Sequence, residues 1–156
     1  MSDHLRYEPI SGFQLERYLG KWYEIARLPA RFENGLVNVT ANYSSRPDGK
    51  IQVLNEGYKK TKDGKRVSAI GKAKFAGSKD KGHLKVSFFG PFYANYVIIE
   101  LDKEKYSYAI VASSMRYLWI LCRQPQIDDS LCHNLIEKAR SLGFDTDRLY
   151  FTPQEW

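Results

Sequence analysis

Two cysteines in 156 residues are too few to staple a fold, and the spacing of Cys122 and Cys132 offers no metal-ligand pattern. Histidine is equally sparse. His4, His83 and His133 fall in a tail, at a strand start and on a helix, so none stands beside a nucleophile as an acid–base partner would. These shortages lead us to expect no catalysis, no metal and no cofactor. No apolar run approaches the length of a membrane-spanning helix, and there is no repeat or low-complexity segment. The opening MSDHLRYEPISGFQ has neither the apolar core of a signal peptide nor a cysteine for a lipid anchor. The chain as given is therefore expected to stay in the cytoplasm where it is made, although a trimmed form would read the same.

The residues present are those of a globular chain: 43% apolar, 27% charged and 14% aromatic, with 11 tyrosines. The length suits one domain spanning residues 1–156 with a sizeable core. Short segments rich in β-branched and aromatic residues recur at about 21–28, 38–45, 50–59, 66–76, 82–89, 95–102, 106–113 and 117–123. Pro47-Asp48-Gly49, Asp63-Gly64, Lys81-Gly82, Gly90-Pro91 and Asp102-Lys103-Glu104 separate them, as reversals require. Eight sequential strands with short connections predict an all-β fold, an eight-stranded up-and-down antiparallel barrel over about 20–123. One helix follows, over about 128–143. Leu131, Leu135, Ile136, Ala139 and Leu142 share a face, Asp128 or Asp129 can cap the start, and Gly143 can end it. The strand before it is apolar on both faces, so this amphipathic helix is expected to pack outside the barrel.

Gly20-Lys21-Trp22 at the first strand, Asp102 through Tyr106-Ser107-Tyr108-Ala109 between the sixth and seventh, and Arg123 after the eighth resemble the three signature blocks of the lipocalins. The wording of LGKWYEIARLPARFENG, ANYSSRPDGKIQVLNEGY, LKVSFFGPFYANYVIIELD, YAIVASS and LWILCRQP is similar to the bacterial lipocalin and apolipoprotein D branch. The likeness runs from about residue 13 to 151. It implies that Trp22 lies inside the closed end of the barrel with Arg123 across its ring, and that Gly20 opens the strand. It also implies small hydrophobic ligands, fatty acids and lysophospholipids among them, and a place in the bacterial cell envelope.

Alternation from Trp22 puts Glu24 and Ala26 inward and Tyr23, Ile25 and Arg27 outward. A buried carboxylate needs a partner, so Glu24 is expected to find one or to tune the cavity. The same parity turns Leu121 and Trp119 inward and leaves Ile120 and Cys122 facing the helix. The remaining lining is expected from Val39, Ala41 and Tyr43; Ile51, Val53 and Asn55; Ala69, Gly71, Ala73 and Phe75; Leu84, Val86 and Phe88; Tyr96 and Ile98; and Ala109 and Val111. Of these, Tyr43, Val53, Asn55, Phe75, Val86, Phe88, Tyr96, Val111, Trp119 and Leu121 are the candidate ligand contacts. A filled interior is the alternative.

With the floor at Trp22 and Arg123, the mouth is built by LPARFENGL, KKTKDGKR, FGPFYA and SSMRY. It carries Phe32, Lys59, Lys60, Lys62, Arg66 and Phe92. Net charge is +6, and it is concentrated: residues 59–85 hold ten Lys or Arg against Asp63 and Asp80. No basic helix, zinc spacing or RNP-like motif accompanies the charge, so nucleic acid is not expected. An apolar cavity below a basic, aromatic rim suits a molecule with a hydrocarbon tail and an anionic head. About 14 buried carbons could contribute on the order of 10 kcal/mol gross. The rim also suits an anionic membrane surface, solubility alone, or a homodimer contact. Cys122 and Cys132 are expected as free thiols, with a disulfide open in an oxidising compartment.

Overall fold

A chain whose strands alternate between apolar and polar side chains can bury one face of every strand by curling its sheet on itself. The computed structural model, which describes residues 7–30 and 33–156, shows that closure. The strands are β1 Gly20–Arg27, β2 Leu36–Ser45, β3 Ile51–Lys59, β4 Arg66–Phe75, β5 His83–Phe89, β6 Phe92–Leu101, β7 Tyr108–Ser114 and β8 Tyr117–Cys122. Each pairs antiparallel with the next, and β1 pairs with both β8 and β2, so the eight form a closed barrel. A short strand, β9 Tyr150–Phe151, adds to the second half of β1.

Two apolar layers result. Inside the barrel, Trp22, Tyr43, Ile51, Val53, Ala73, Leu84, Ile98, Ala109, Val111 and Leu121 form one buried cluster. Outside, Ile25, Val97, Ile110, Leu118, Ile120 and Cys122 pack against Leu135, Ala139 and Phe144. Leu135 and Ala139 belong to helix α2, Asp129–Ser141, so the expected docking is borne out. The Asp128 carboxylate accepts from the Leu131 N–H and caps the start, and Gly143, at φ +94°, takes the left-handed conformation that ends it.

Four details differ from the sequence expectation. β6 begins at Phe92, because the tight Gly90-Pro91 turn already sets Phe92 opposite Phe89. β7 begins at Tyr108, because Tyr106 is left-handed at φ +52° and its N–H donates to the Asp102 carbonyl. A one-turn helix, α1 Leu15–Tyr18, and a 3-10 turn at Thr146–Arg148 were not foreseen, nor was β9. The fourth difference reverses two orientations. Glu24 opposes Leu121, yet Ala26 opposes Ile120 and Arg27 opposes Trp119, so a β-bulge lies between Glu24 and Ala26. Directly opposed residues share a face. The inserted residue therefore turns Ala26 outward, into the helix-facing layer, and Arg27 inward.

Candidate functional site in the barrel

The floor is made by the segment that precedes β1. Helix α1 brings Tyr18 under the barrel, where its carbonyl accepts from Trp22 Nε1 at 2.9 Å. The Arg123 guanidinium lies 4.0 Å from the centroid of the Trp22 ring. It donates to the carbonyls of Arg17 (2.8 Å), Lys21 (3.0 Å) and Tyr106 (3.1 Å), so every nitrogen of the head is used. Gly20, at φ +103°, lies close under the same guanidinium: a Cβ there would sit 3.3 Å from it. Burial lowers the affinity of Arg123 for its proton, and the carbonyls offset that cost.

Above the floor, phenol side chains converge. Tyr18, Tyr43 and Tyr96 come from α1, β2 and β6, and the Tyr96 hydroxyl lies 2.6 Å from that of Tyr18 and 2.7 Å from that of Tyr43. Burial pushes all three well above the usual phenol range, so all are neutral.

The mouth end of β1 holds the partner expected for Glu24. Arg27 Nη1 donates to Glu24 Oε2 at 2.6 Å, both side chains being buried, and the bulge is what brings them to one face. Arg27 also donates to the Thr152 hydroxyl (3.1 Å) and to the Glu33 carbonyl (2.6 Å). Thr152 donates in turn to Glu24. A second acid, Glu33, completes the cluster: Trp119 Nε1 donates to its carboxyl at 2.8 Å. Burial first, then the charge of Glu24 and a hydrogen bond with it, push the Glu33 carboxyl up to about 9. Glu33 is thus a protonated acid at neutral pH, and it ties the loop after β1 to the barrel wall. Neither Arg27 nor Glu33 was a candidate from sequence, where parity had placed one outside and a loop position concealed the other. The single acidic residue of LPARFENGL carries no local signal of a partner on β8.

The C-terminal strap closes the seam between β1 and β2 beside this cluster. Thr152 N–H donates to the Ile25 carbonyl and Asn38 N–H to the Pro153 carbonyl, at 3.0 and 2.8 Å. Gln154 Nε2 bridges the carbonyls of Glu24 and Val39 at 2.9 and 3.1 Å.

The candidate contacts divide by height. Tyr43, Val53, Val111 and Leu121 are buried in the interior cluster, and Phase-matched Phe75, Val86, Phe88, Tyr96 and Trp119 pack against it while half-buried. Asn55, opposite Ala41 and Ala69, is half-buried on the inner face, and the inward Ala69 and Ala94 are exposed. The inner wall is therefore sealed below and wetted towards the mouth. On the rim, Lys59, Lys60 and Lys62 are exposed, whereas Arg66 is paired with Glu56, so its charge is offset. Phe92 is 77% exposed and its cross-strand neighbour Phe89 79%. Phe32 lies outside the described residues. His83 bonds Asn95 at 3.0 Å, and both thiols are free, Cys122 buried and Cys132 half-buried. Among the described residues no cluster could hold a metal ion.

A family profile described as a lipocalin-like domain matches residues 13–154. The "Outer membrane lipoprotein Blc" of Vibrio cholerae is 50% identical, over 95% of this chain and 86% of that protein. The Escherichia coli K12 protein of the same name is 46% identical, over 93% and 81%. Mouse apolipoprotein D is 33% identical, over 91% and 77%. Among solved structures, insecticyanin from the tobacco hornworm Manduca sexta superposes with a TM-score of 0.75 at 21% identity, covering 94% of this chain and 83% of that one. That last likeness is one of fold.

Proposed function

The chain belongs to the lipocalin-like family, known for binding small hydrophobic ligands, and on that premise we propose that its barrel carries a fatty acid or lysophospholipid. The observation that supports this most is the graded interior, sealed by Trp22 and Arg123 below and open along Val86, Phe88, Ala94 and Trp119 above. The tail lies along that wall, and the anionic head sits among Lys59, Lys60 and Lys62. The lysines raise the encounter rate and select the head more than they tighten binding. The role is that of a carrier rather than an enzyme: Cys122 faces helix α2, and His83 and His133 are remote from the interior. The names of the bacterial relatives support a place in the cell envelope.

Titration with oleate, lysophosphatidic acid and lysophosphatidylcholine, followed by tryptophan fluorescence and native mass spectrometry, tests this reading. Saturable one-to-one binding near micromolar, weakened in Trp119→Ala, is expected. Failure of all three to bind overturns it.

A second reading is favoured by the β5–β6 tip, where Phe89 and Phe92 are 79% and 77% exposed. With the rim lysines, that tip suits docking on an anionic bilayer while cargo is exchanged. Co-sedimentation with anionic vesicles that is lost in Phe89→Ser/Phe92→Ser supports it. The native mass also reads whether two copies meet through the tip instead.

A further inference from the structure

The tyrosines above the floor hold more protons than they can use. A neutral phenol has one O–H donor, and its oxygen can accept. Tyr18, Tyr43 and Tyr96 thus supply three protons, but only two contacts join them, Tyr18 to Tyr96 and Tyr43 to Tyr96. However the hydroxyls rotate, one O–H is left without an acceptor in this trio. Among the described residues no carbonyl, carboxylate or other hydroxyl accepts from it. Ionisation does not remove the surplus, because burial holds all three phenols in their neutral form.

Burial decides which proton is left over. Tyr18 and Tyr43 are 1% and 4% exposed, whereas Tyr96 is half-buried on the inner wall, between the sealed floor and the wetted upper half. Both outer phenols can donate to the Tyr96 oxygen, whose own proton then has no acceptor within the trio. Tyr96 packs against an interior cluster of rings and aliphatic groups that includes Phe13, Leu84, Trp22 and Ile98. A buried donor in such surroundings is costly to leave unmade.

We infer that the Tyr96 hydroxyl is a donor site deep in the barrel for an acceptor oxygen on the inserted end of a hydrophobic ligand. The chemical class is an oxygenated hydrocarbon, a chain with a ketone, hydroxyl or carboxyl at the end away from the rim. A terminal ammonium, which only donates, is rejected. This inference rests on the carrier reading and adds the end of the ligand that the rim does not select.

The test compares palmitate with palmitate carrying a ketone next to its terminal methyl group, on wild type and on Tyr96→Phe. In wild type the keto acid is expected to bind more tightly relative to palmitate than it does in Tyr96→Phe, by about tenfold, the worth of one hydrogen bond in a dry site. Palmitate itself reports whether the variant barrel is intact. Should the variant fail to fold, wild type alone decides: the ketone infrared band moves to lower frequency on binding if the phenol donates to it. An unshifted band, or equal binding ratios in the two proteins, overturns the donor site while palmitate binding leaves the carrier reading standing. A headless long-chain methyl ketone separates the remaining cases. If it binds in a Tyr96-dependent way when neither acid does, the donor site stands without the fatty-acid carrier; if nothing binds, both fall.

Discussion

Each end of the barrel is held by an arginine beside an aromatic ring, yet the two ends are built on different chemistry. At the floor, Arg123 lies 4.0 Å from the Trp22 centroid and gives its protons to backbone carbonyls alone. At the mouth, Arg27 lies 4.6 Å from the Tyr150 centroid and is buried against the carboxylate of Glu24, with Glu33 next in line. Carbonyls do not titrate and carboxyls do. The floor contacts of Arg123 therefore have no titrating partner, while ionising Glu33 would set a second buried carboxylate beside Glu24.

Removing each arginine breaks the comparison most severely. Arg27→Met leaves the buried Glu24 without its cation and Thr152 and the Glu33 carbonyl without a donor. Stripping one partner from a buried pair costs about 3–5 kcal/mol, so the urea midpoint is expected to fall steeply. Arg123→Met is milder. Arg123 is half-buried, water can replace it at the carbonyls of Arg17 and Lys21, and the loss is about 1–3 kcal/mol by the same measurement. Equal losses at the two ends would mean that the mouth cluster is better hydrated than its burial implies.

The two ends also differed in how far they could be read from sequence. The floor was legible through the family resemblance, which places Gly20, Trp22 and Arg123, and a period of two counted from Trp22 then fixes which residues face in. Parity carried through to Tyr43, Val53, Val86, Tyr96 and Trp119, all in or against the interior cluster. It failed at β1, where Ile25 gives no sign of the bulge that turns Arg27 inward. Glu33 was concealed by distance along the chain, its bond to Trp119 spanning 86 residues. Tyr18 was missed for a third reason. A helix of 4 residues is too short to show a helical period, so the phenol that completes the trio read as part of a tail.

Proton loss sharpens the comparison without deleting a side chain. An acid whose pKa is raised by folding binds more protons in the folded state, so its contribution is complete below the ordinary carboxylate range near 4.3 and declines as pH rises, until Glu33 is ionised above about 9. Stability is thus expected to fall with rising pH across that window. Trp119 fluorescence should report the loop letting go, because its indole N–H is bonded to Glu33. Glu33→Gln cannot ionise and still offers Trp119 an acceptor. Its pH profile should be flatter than that of wild type over the same range, and parallel profiles would show that the proton is not what holds the loop.

The smallest effect on stability is expected from the rim. Lys59, Lys60, Lys62 and Lys65 are exposed, and exposed charges contribute within about 0.5 kcal/mol. Changing all four to Gln should leave the urea midpoint almost unmoved, in contrast to either arginine. Their work is at long range, so the same variant should capture fatty acid more slowly and sediment less with anionic vesicles, each lysine near such a surface being worth about 1 kcal/mol. Salt should reproduce both losses in wild type. Lysophosphatidylcholine, whose head carries no net charge, should associate at the same rate in both proteins. If it slows as much as oleate does, the lysines shape the entrance rather than attract the head.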